Sequence, residues 1–158
     1  MMLAITFYSV VLFVHIGAVV VAFGVVFTYP MVAALIRRHP QHAPFAHNLQ
    51  GEIGKKIISP GLLVILLAGG YLASKAHAWG EFWVIFPLIS LFVLGALGGA
   101  YFGPREVKAG ELAERDLAAG GGLSEEYAAH TKQLFAVQMA SAGLVLLVIF
   151  VMTAKPFA

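Results

Sequence analysis

Four apolar stretches, each long enough to cross a membrane as a helix, constrain this chain more than any other feature. They cover residues 3–36, 57–74, 82–103 and 134–154, and a spanning helix needs about 20 mostly apolar residues. Only 11% of the residues are charged, against about a quarter in soluble domains. We therefore predict an all-α fold, a four-helix transmembrane bundle forming a single domain over residues 1–158.

Several classes of site are excluded by the residues that the chain lacks. There is no cysteine, so disulfides, thiolate metal sites and cysteine nucleophiles are ruled out. No Walker-type loop and no dinucleotide-binding glycine pattern is present. The positive charges are clustered between the apolar stretches, which indicates membrane topology. We expect no metal site and no nucleic-acid partner.

The distribution of lysine and arginine orients the bundle. Eight of these residues lie between stretches one and two or between stretches three and four, whereas only Lys75 and Lys155 lie on the other side. The positive-inside rule then places both long loops in the cytoplasm and both termini outside. Trp79 and Trp83 are expected to mark the outer boundary, and Tyr101 and Tyr127 the inner one.

The two loops on the basic side are predicted to differ in structure. His39, His42 and His47 lie among Pro40 and Pro44, and their spacing matches no standard metal site, so a solvated loop is predicted. In the second loop, residues 106–118 predict a short surface helix and Gly120–Gly122 a break. Ser124 is a candidate N-cap, so the fourth helix is predicted to begin near Glu125. Pro30 is expected to kink or end the first helix.

His15 is the most informative residue inside the apolar stretches. It lies roughly 15 Å from the outer end of its helix at 1.5 Å per residue, near the membrane midplane. Ionisable groups at that depth usually face the bundle interior, and Ala18 and Ala22 give the same face room for a helix or a flat cofactor. Three roles remain open: a hydrogen-bonded core histidine, an axial haem ligand, or a proton relay.

The fourth stretch carries the only other polar stripe, formed by His130, Gln138 and Ser141 on roughly one helix face. Gln138 and Ser141 are predicted partners of His15, and hydrogen bonding between helices is the simplest role of the stripe. The apolar stretches contain no carboxylate, which argues against a pump with a carboxylate relay.

Glycines on the third stretch predict a helix contact. Gly95 and Gly99 form a small-xxx-small pair that allows a partner backbone to approach closely. The contact could lie within the monomer or between copies, so a homo-oligomer is one expected assembly.

The first stretch resembles a known pattern. Residues 13–18, Phe-Val-His-Ile-Gly-Ala, followed by Phe23 and Gly24, resemble helix one of an uncharacterised family of small four-helix bacterial integral membrane proteins. That family distantly resembles the copper-resistance D domain and the haem-dependent protoporphyrinogen oxidases. The resemblance implies haem ligation by His15. The lysine that the oxidases use within a later span has no counterpart, because Lys75 lies at the outer end of its span.

These observations predict a small integral membrane protein of unknown activity in the lipid bilayer of a bacterial inner membrane, with a role as an accessory subunit of a larger membrane complex. The alternative is a b-type haem protein that uses His15 for electron transfer or porphyrin oxidation. Whether the chain is an enzyme, and whether any cofactor binds, stays open at this stage.

Overall fold

The computed structural model describes residues 6–156, and within that range the chain is helical with no strand. The α-helices are α1 (Phe7–Gly24), α2 (Tyr29–Arg38), α3 (Ala43–Ile53), α4 (Ser59–Lys75), α5 (Phe82–Ala96), α6 (Gly103–Ala118) and α7 (Glu125–Ala154). Short 3₁₀ segments, Val25–Thr28 and Pro40–His42, and π segments, Gly54–Ile58 and Leu97–Phe102, connect several of them. The predicted first stretch begins at Leu3, which lies outside the described residues.

Four continuous helical stretches in the described range are long and apolar enough to cross a membrane: Phe7–Arg38, Pro40–Lys75, Phe82–Ala118 and Glu125–Ala154. This confirms the predicted all-α bundle with four spans. The stretches are 32, 36, 37 and 30 residues long, so all four exceed the about 20 residues that a hydrocarbon core requires. The second and third continue as helices beyond their apolar part, and the predicted loops on the basic side are mostly helical.

Prolines explain where the helices change their winding. Pro30, Pro60 and Pro104 each lie at the second residue of an α-helix that follows a 3₁₀ or π segment. A proline has no backbone N–H, so the helical hydrogen-bond pattern is interrupted there and a differently wound turn is accommodated. Two hydroxyls bond back to carbonyls of these turns, with Thr28 Oγ1 donating to Val25 O at 2.7 Å and Ser59 Oγ donating to Gly54 O at 2.9 Å. Pro30 thus alters the first span without ending it.

The start of α7 was correctly predicted. Ser124 is its N-cap and accepts a hydrogen bond from the backbone N–H of Tyr127 at 3.2 Å. Gly120 and Gly122 precede it with φ angles of +75° and +77°, which L side chains rarely adopt. Asp116 Oδ2 accepts a hydrogen bond from the backbone N–H of Ser124 at 2.8 Å. This bond connects the end of α6 to the turn that leads into α7.

Two packed regions follow one another along the bundle. In the first, α1 packs along α4, and α5 packs along α7. In the second, α3 packs along α6, and α2 and the start of α7 close around them. We call the second region the basic end, because it carries eight cationic side chains: Arg37, Arg38, Lys55, Lys56, Arg105, Lys108, Arg115 and Lys132. Its core contains Ile36, Ala109, Leu112 and Tyr127.

The orientation of the bundle is a prediction that single-cysteine labelling can test. The native chain has no cysteine, so Arg115→Cys provides a unique label at the basic end. Because of the eight-to-two distribution of cations, we expect this cysteine to resist a membrane-impermeant maleimide in intact cells and to react after lysis. Ala76→Cys, in the connection at the opposite end, is the control and should react in intact cells. The reverse pattern would invert the topology.

Candidate functional site

The basic end contains a buried histidine held between an acid and a phenol. His47 Nδ1 lies 2.7 Å from Glu106 Oε2, and His47 Nε2 lies 2.8 Å from the Tyr127 hydroxyl. The exposed fractions are 5% for His47, 4% for Glu106 and 6% for Tyr127. Because a carboxylate accepts but cannot donate, the neutral imidazole donates from Nδ1 to Glu106 and accepts at Nε2 from Tyr127.

Two glutamine side chains extend this group of polar residues. Gln138 Nε2 donates to the second oxygen of Glu106 at 2.8 Å and to Gln50 Oε1 at 3.3 Å. Both glutamines are buried, so each carboxylate oxygen of Glu106 has a partner. Burying an ionised carboxylate is costly unless it is paired and hydrogen-bonded, and this arrangement supplies both conditions. We call the five side chains His47, Gln50, Glu106, Tyr127 and Gln138 the polar cluster.

Three helices bring the polar cluster together. His47 and Gln50 are on α3, Glu106 is on α6, and Tyr127 and Gln138 are on α7. The α3–α6 contact is close at Gly110, where an added Cβ would lie 3.7 Å from the Cβ of His47. A small residue there lets α3 approach α6, which places the imidazole beside the carboxylate one helical turn away.

Two cavities lie on either side of the imidazole, and His47 lines both. The smaller cavity, of about 220 Å³, is lined by Glu106 and by three further acidic residues, Glu52, Glu111 and Glu114, with Lys55 as its cation. The larger cavity, of about 540 Å³, includes Arg37 and Lys132 among its lining residues and no acidic side chain. The polar cluster therefore lies between a cavity with an acidic lining and a cavity with a basic lining.

One prediction for this region was wrong and another was incomplete. His47 is not in a solvated loop, because residues 43–53 form α3 and bury its imidazole, whereas His39 and His42 are exposed as predicted. Residues 106–118 are helical as predicted, but α6 has one face that is not at the surface, since it packs along α3 and buries Glu106, Leu112 and Asp116. Tyr127, predicted at the membrane boundary, is a buried partner of His47.

His15 is buried, with an exposed fraction of 8%. An added Cβ on Gly69 would lie 3.0 Å from Cε1 and 3.4 Å from Nδ1 of His15, and an added Cβ on Gly61 would lie 2.7 Å from the Cβ of Ala22. The small-residue face of α1 is therefore occupied by α4, and a flat cofactor does not fit on it. His15 Nδ1 has no hydrogen-bond partner among the described residues, but it lies against Gly69, so α4 leaves no room for an iron at this atom.

The polar stripe of α7 does not reach His15. Gln138 bonds to Glu106 and Gln50 at the basic end, and His130 Nε2 lies 3.0 Å from the backbone oxygen of Arg105. Ser141 Oγ is buried and has no partner within residues 6–156. The predicted bond from His15 to Gln138 or Ser141 is absent among these residues, because the α1–α4 register places His15 beside Gly69, away from the basic end.

The predicted Gly95–Gly99 contact is found in part. An added Cβ on Gly95 would lie 3.7 Å from Leu62 Cδ1, which is ordinary van der Waals contact, whereas one on Gly99 would meet nothing within 4 Å. The closest helix approach that the glycines reveal is instead between α1 and α4, at Gly61 and Gly69. A role for Gly99 between copies of the chain stays a prediction.

Sequence reasoning missed Glu106, Gln50 and the role of Tyr127. One signal was available: Glu106 lies only three residues after Gly103, the end of the third apolar stretch, and Gln50 lies seven before Ile57, the start of the second. Continuing both helices past their apolar parts would have placed these side chains near each other. The described residues contain no group of three or more His, Cys, Asp or Glu side chains arranged for a metal ion.

Comparison with known proteins identifies a family and no activity. The family model described as "Predicted integral membrane protein (DUF2269)" matches residues 9–156. No curated protein and no solved structure matches the chain. The match agrees with the predicted family of integral membrane proteins, and it does not extend to the copper-resistance D domain or the haem-dependent oxidases.

Proposed function

This chain belongs to the DUF2269 family of predicted integral membrane proteins, and we propose that it exchanges protons between the two cavities at its basic end through Glu106, His47 and Tyr127. The observation that carries the proposal is the position of His47. Its imidazole is buried, bonds to an acid at Nδ1 and to a phenol at Nε2, and lines both cavities.

The chemistry of the three groups allows one proton to be taken up without breaking the cluster. The neutral imidazole accepts the Tyr127 hydrogen at Nε2 while it donates from Nδ1 to Glu106. When His47 gains a proton at Nε2, both nitrogens become donors, and the Tyr127 oxygen becomes the acceptor. The imidazolium is then balanced by the Glu106 carboxylate at 2.7 Å, and the Tyr127 hydrogen is free to turn towards the larger cavity.

Polar cross-linking of helices is the simpler role for such a cluster, and the cavities are what favour proton exchange. Cross-linking needs hydrogen bonds but no contact with water. The acidic lining of the smaller cavity, from Glu52, Glu111 and Glu114, offers proton-binding groups next to Glu106. On the other side, the cations Arg37 and Lys132 and the phenol of Tyr29 face the same space as Tyr127.

Nitrogen-15 NMR of histidine-labelled protein in nanodiscs tests the proposal. We expect the ring hydrogens of His47 to exchange with D2O in the folded protein, because the buried imidazole lines both cavities. Glu106→Gln should slow this exchange, because an amide oxygen accepts the Nδ1 hydrogen bond but does not take up and release a proton as a carboxylate does. The matched control is Glu125→Gln, which removes an exposed carboxylate at the start of α7 that lines neither cavity.

A His47 ring hydrogen that does not exchange with solvent in the folded protein would overturn the proposal. Equal effects of Glu106→Gln and Glu125→Gln would also overturn it, because the response would then reflect surface charge alone. His39 and His42, which are exposed, provide internal references in the same spectra for the exchange of solvent-accessible ring hydrogens.

Haem ligation by His15 stays a prediction that the packing of α4 opposes, because Gly69 lies against the unpartnered Nδ1. A haem held by His15 would give the purified protein a Soret band that is lost in His15→Ala and kept in His130→Ala. A protein expressed with excess haem that shows no such band would exclude this candidate. The accessory-subunit role stays a prediction, as does location in a bacterial inner membrane.

A further inference from the structure

The larger cavity at the basic end, which Tyr127 lines, has a lining that suits the binding of a ligand as well as proton exchange. It lies between α2 and α7, and its volume is about 540 Å³, within the range of small-molecule pockets. From its charges, its free hydrogen-bonding groups and its walls, we infer that this cavity binds an anionic amphiphile, a carboxylate or phosphate headgroup attached to an apolar chain.

The charge of the lining selects an anion. Arg37 on α2 and Lys132 on α7 both line the cavity, and no acidic side chain does. Neither cation forms an ion pair with another described residue. The acidic residues of this region face the smaller cavity on the other side of His47. An anionic group between Arg37 and Lys132 would therefore gain two cations without meeting a carboxylate.

Two polar groups on largely buried residues of the lining have no hydrogen-bond partner. The Tyr29 hydroxyl makes no hydrogen bond to any other described side chain or backbone group, and Gln50 uses only Oε1, which leaves its Nε2 without an acceptor in residues 6–156. Tyr29 is 9% exposed. Both residues line the cavity, so their free donors provide a place for acceptor oxygens of a ligand.

The remaining walls are apolar, which argues for a chain as well as a headgroup. Ile36 and Leu134 are buried in the wall, and Ala33 and Phe135 extend it along α2 and α7. These helices belong to two of the four stretches that are apolar enough to cross a membrane. A ligand whose oxygens lie near Arg37 and Lys132 can therefore place its hydrocarbon chain along α2 and α7, in the direction of the bilayer.

Binding of dodecanoate to the full chain in phosphatidylcholine nanodiscs tests the inference, with dodecanol as the neutral probe of equal chain length. Dodecanoate should bind at least tenfold more tightly than dodecanol, because a carboxylate accepts charge-assisted hydrogen bonds from cations and a neutral hydroxyl does not. Arg37→Gln should weaken dodecanoate binding about tenfold. Tyr29→Phe, which removes only the hydroxyl, should weaken it severalfold.

The matched control is Arg38→Gln, which removes the same charge from the next residue of α2, an exposed side chain outside the cavity lining. Its Kd should stay within about twofold of the wild-type value, because a screened surface charge contributes little. Competition identifies the source of the anion. Displacement of dodecanoate by phosphatidylglycerol in the nanodisc indicates a membrane lipid, and displacement by inorganic phosphate indicates a free anion.

Equal binding of dodecanoate and dodecanol would overturn the inference, as would equal effects of Arg37→Gln and Arg38→Gln. This outcome is separate from the proton-exchange test, which is read on the His47 ring without added ligand. Thermal melting of each variant before ligand is added confirms that Arg37→Gln and Tyr29→Phe are folded, so a loss of binding reports on the cavity.

Discussion

Replacing His47 by leucine should lower the free energy of unfolding by about 3–5 kcal/mol, which is the usual cost of removing one partner of a buried ion pair. Glu106 is 4% exposed and bonds to His47 at 2.7 Å. Without the imidazole, its carboxylate keeps only Gln138 as a donor. Reversible unfolding in mixed micelles of dodecyl sulfate and maltoside measures this loss.

The double variant His47→Leu, Glu106→Leu provides the control. Replacing both members of a buried pair by apolar residues is often neutral or stabilising, so the double variant should recover most of the stability that the single variant loses. A single variant as stable as the wild type at pH 8 would show that the Glu106 carboxylate is not buried as a charge.

Replacing Gly61 by leucine should disrupt the packing of α1 on α4 and lower the unfolding free energy by about 1–3 kcal/mol or more. A Cβ at this position would lie 2.7 Å from the Cβ of Ala22 and 3.6 Å from its Cα. Backbone cannot move aside as a flexible side chain can, so the two helices must separate. The same unfolding titration measures the effect.

Gly17→Leu is the matched control for this prediction. Gly17 is also a helical glycine in a span, and an added Cβ there would meet nothing within 4 Å. Both substitutions change the local helix propensity in the same way, so the difference between them isolates the interhelical contact. If Gly17→Leu and Gly61→Leu lose equal stability, the close approach at Gly61 contributes nothing.

Much of the fold follows from local sequence. The four spans were predictable because a hydrocarbon layer forces every backbone N–H and C=O to bond within its own helix, so apolar length alone indicates a helix. Ser124 was predictable as an N-cap because a hydroxyl at the start of a helix satisfies a free backbone N–H. Burial of His15 followed from the cost of an unpaired imidazole in lipid, and the structure agrees with an exposed fraction of 8%.

The sequence by itself determined that the chain forms four membrane-spanning helices with a basic end, since those features depend on the apolar length and charge of each segment. Only the tertiary structure decided that His47, Glu106 and Gln138 meet. His47 and Glu106 are 59 residues apart, and Glu106 and Gln138 are 32 apart. Their contact depends on α3 and α6 continuing past the apolar stretches and packing together at Gly110. A local sequence with polar side chains near a helix end is equally compatible with a solvated loop. Only the packing between helices that are distant in the sequence buries these side chains.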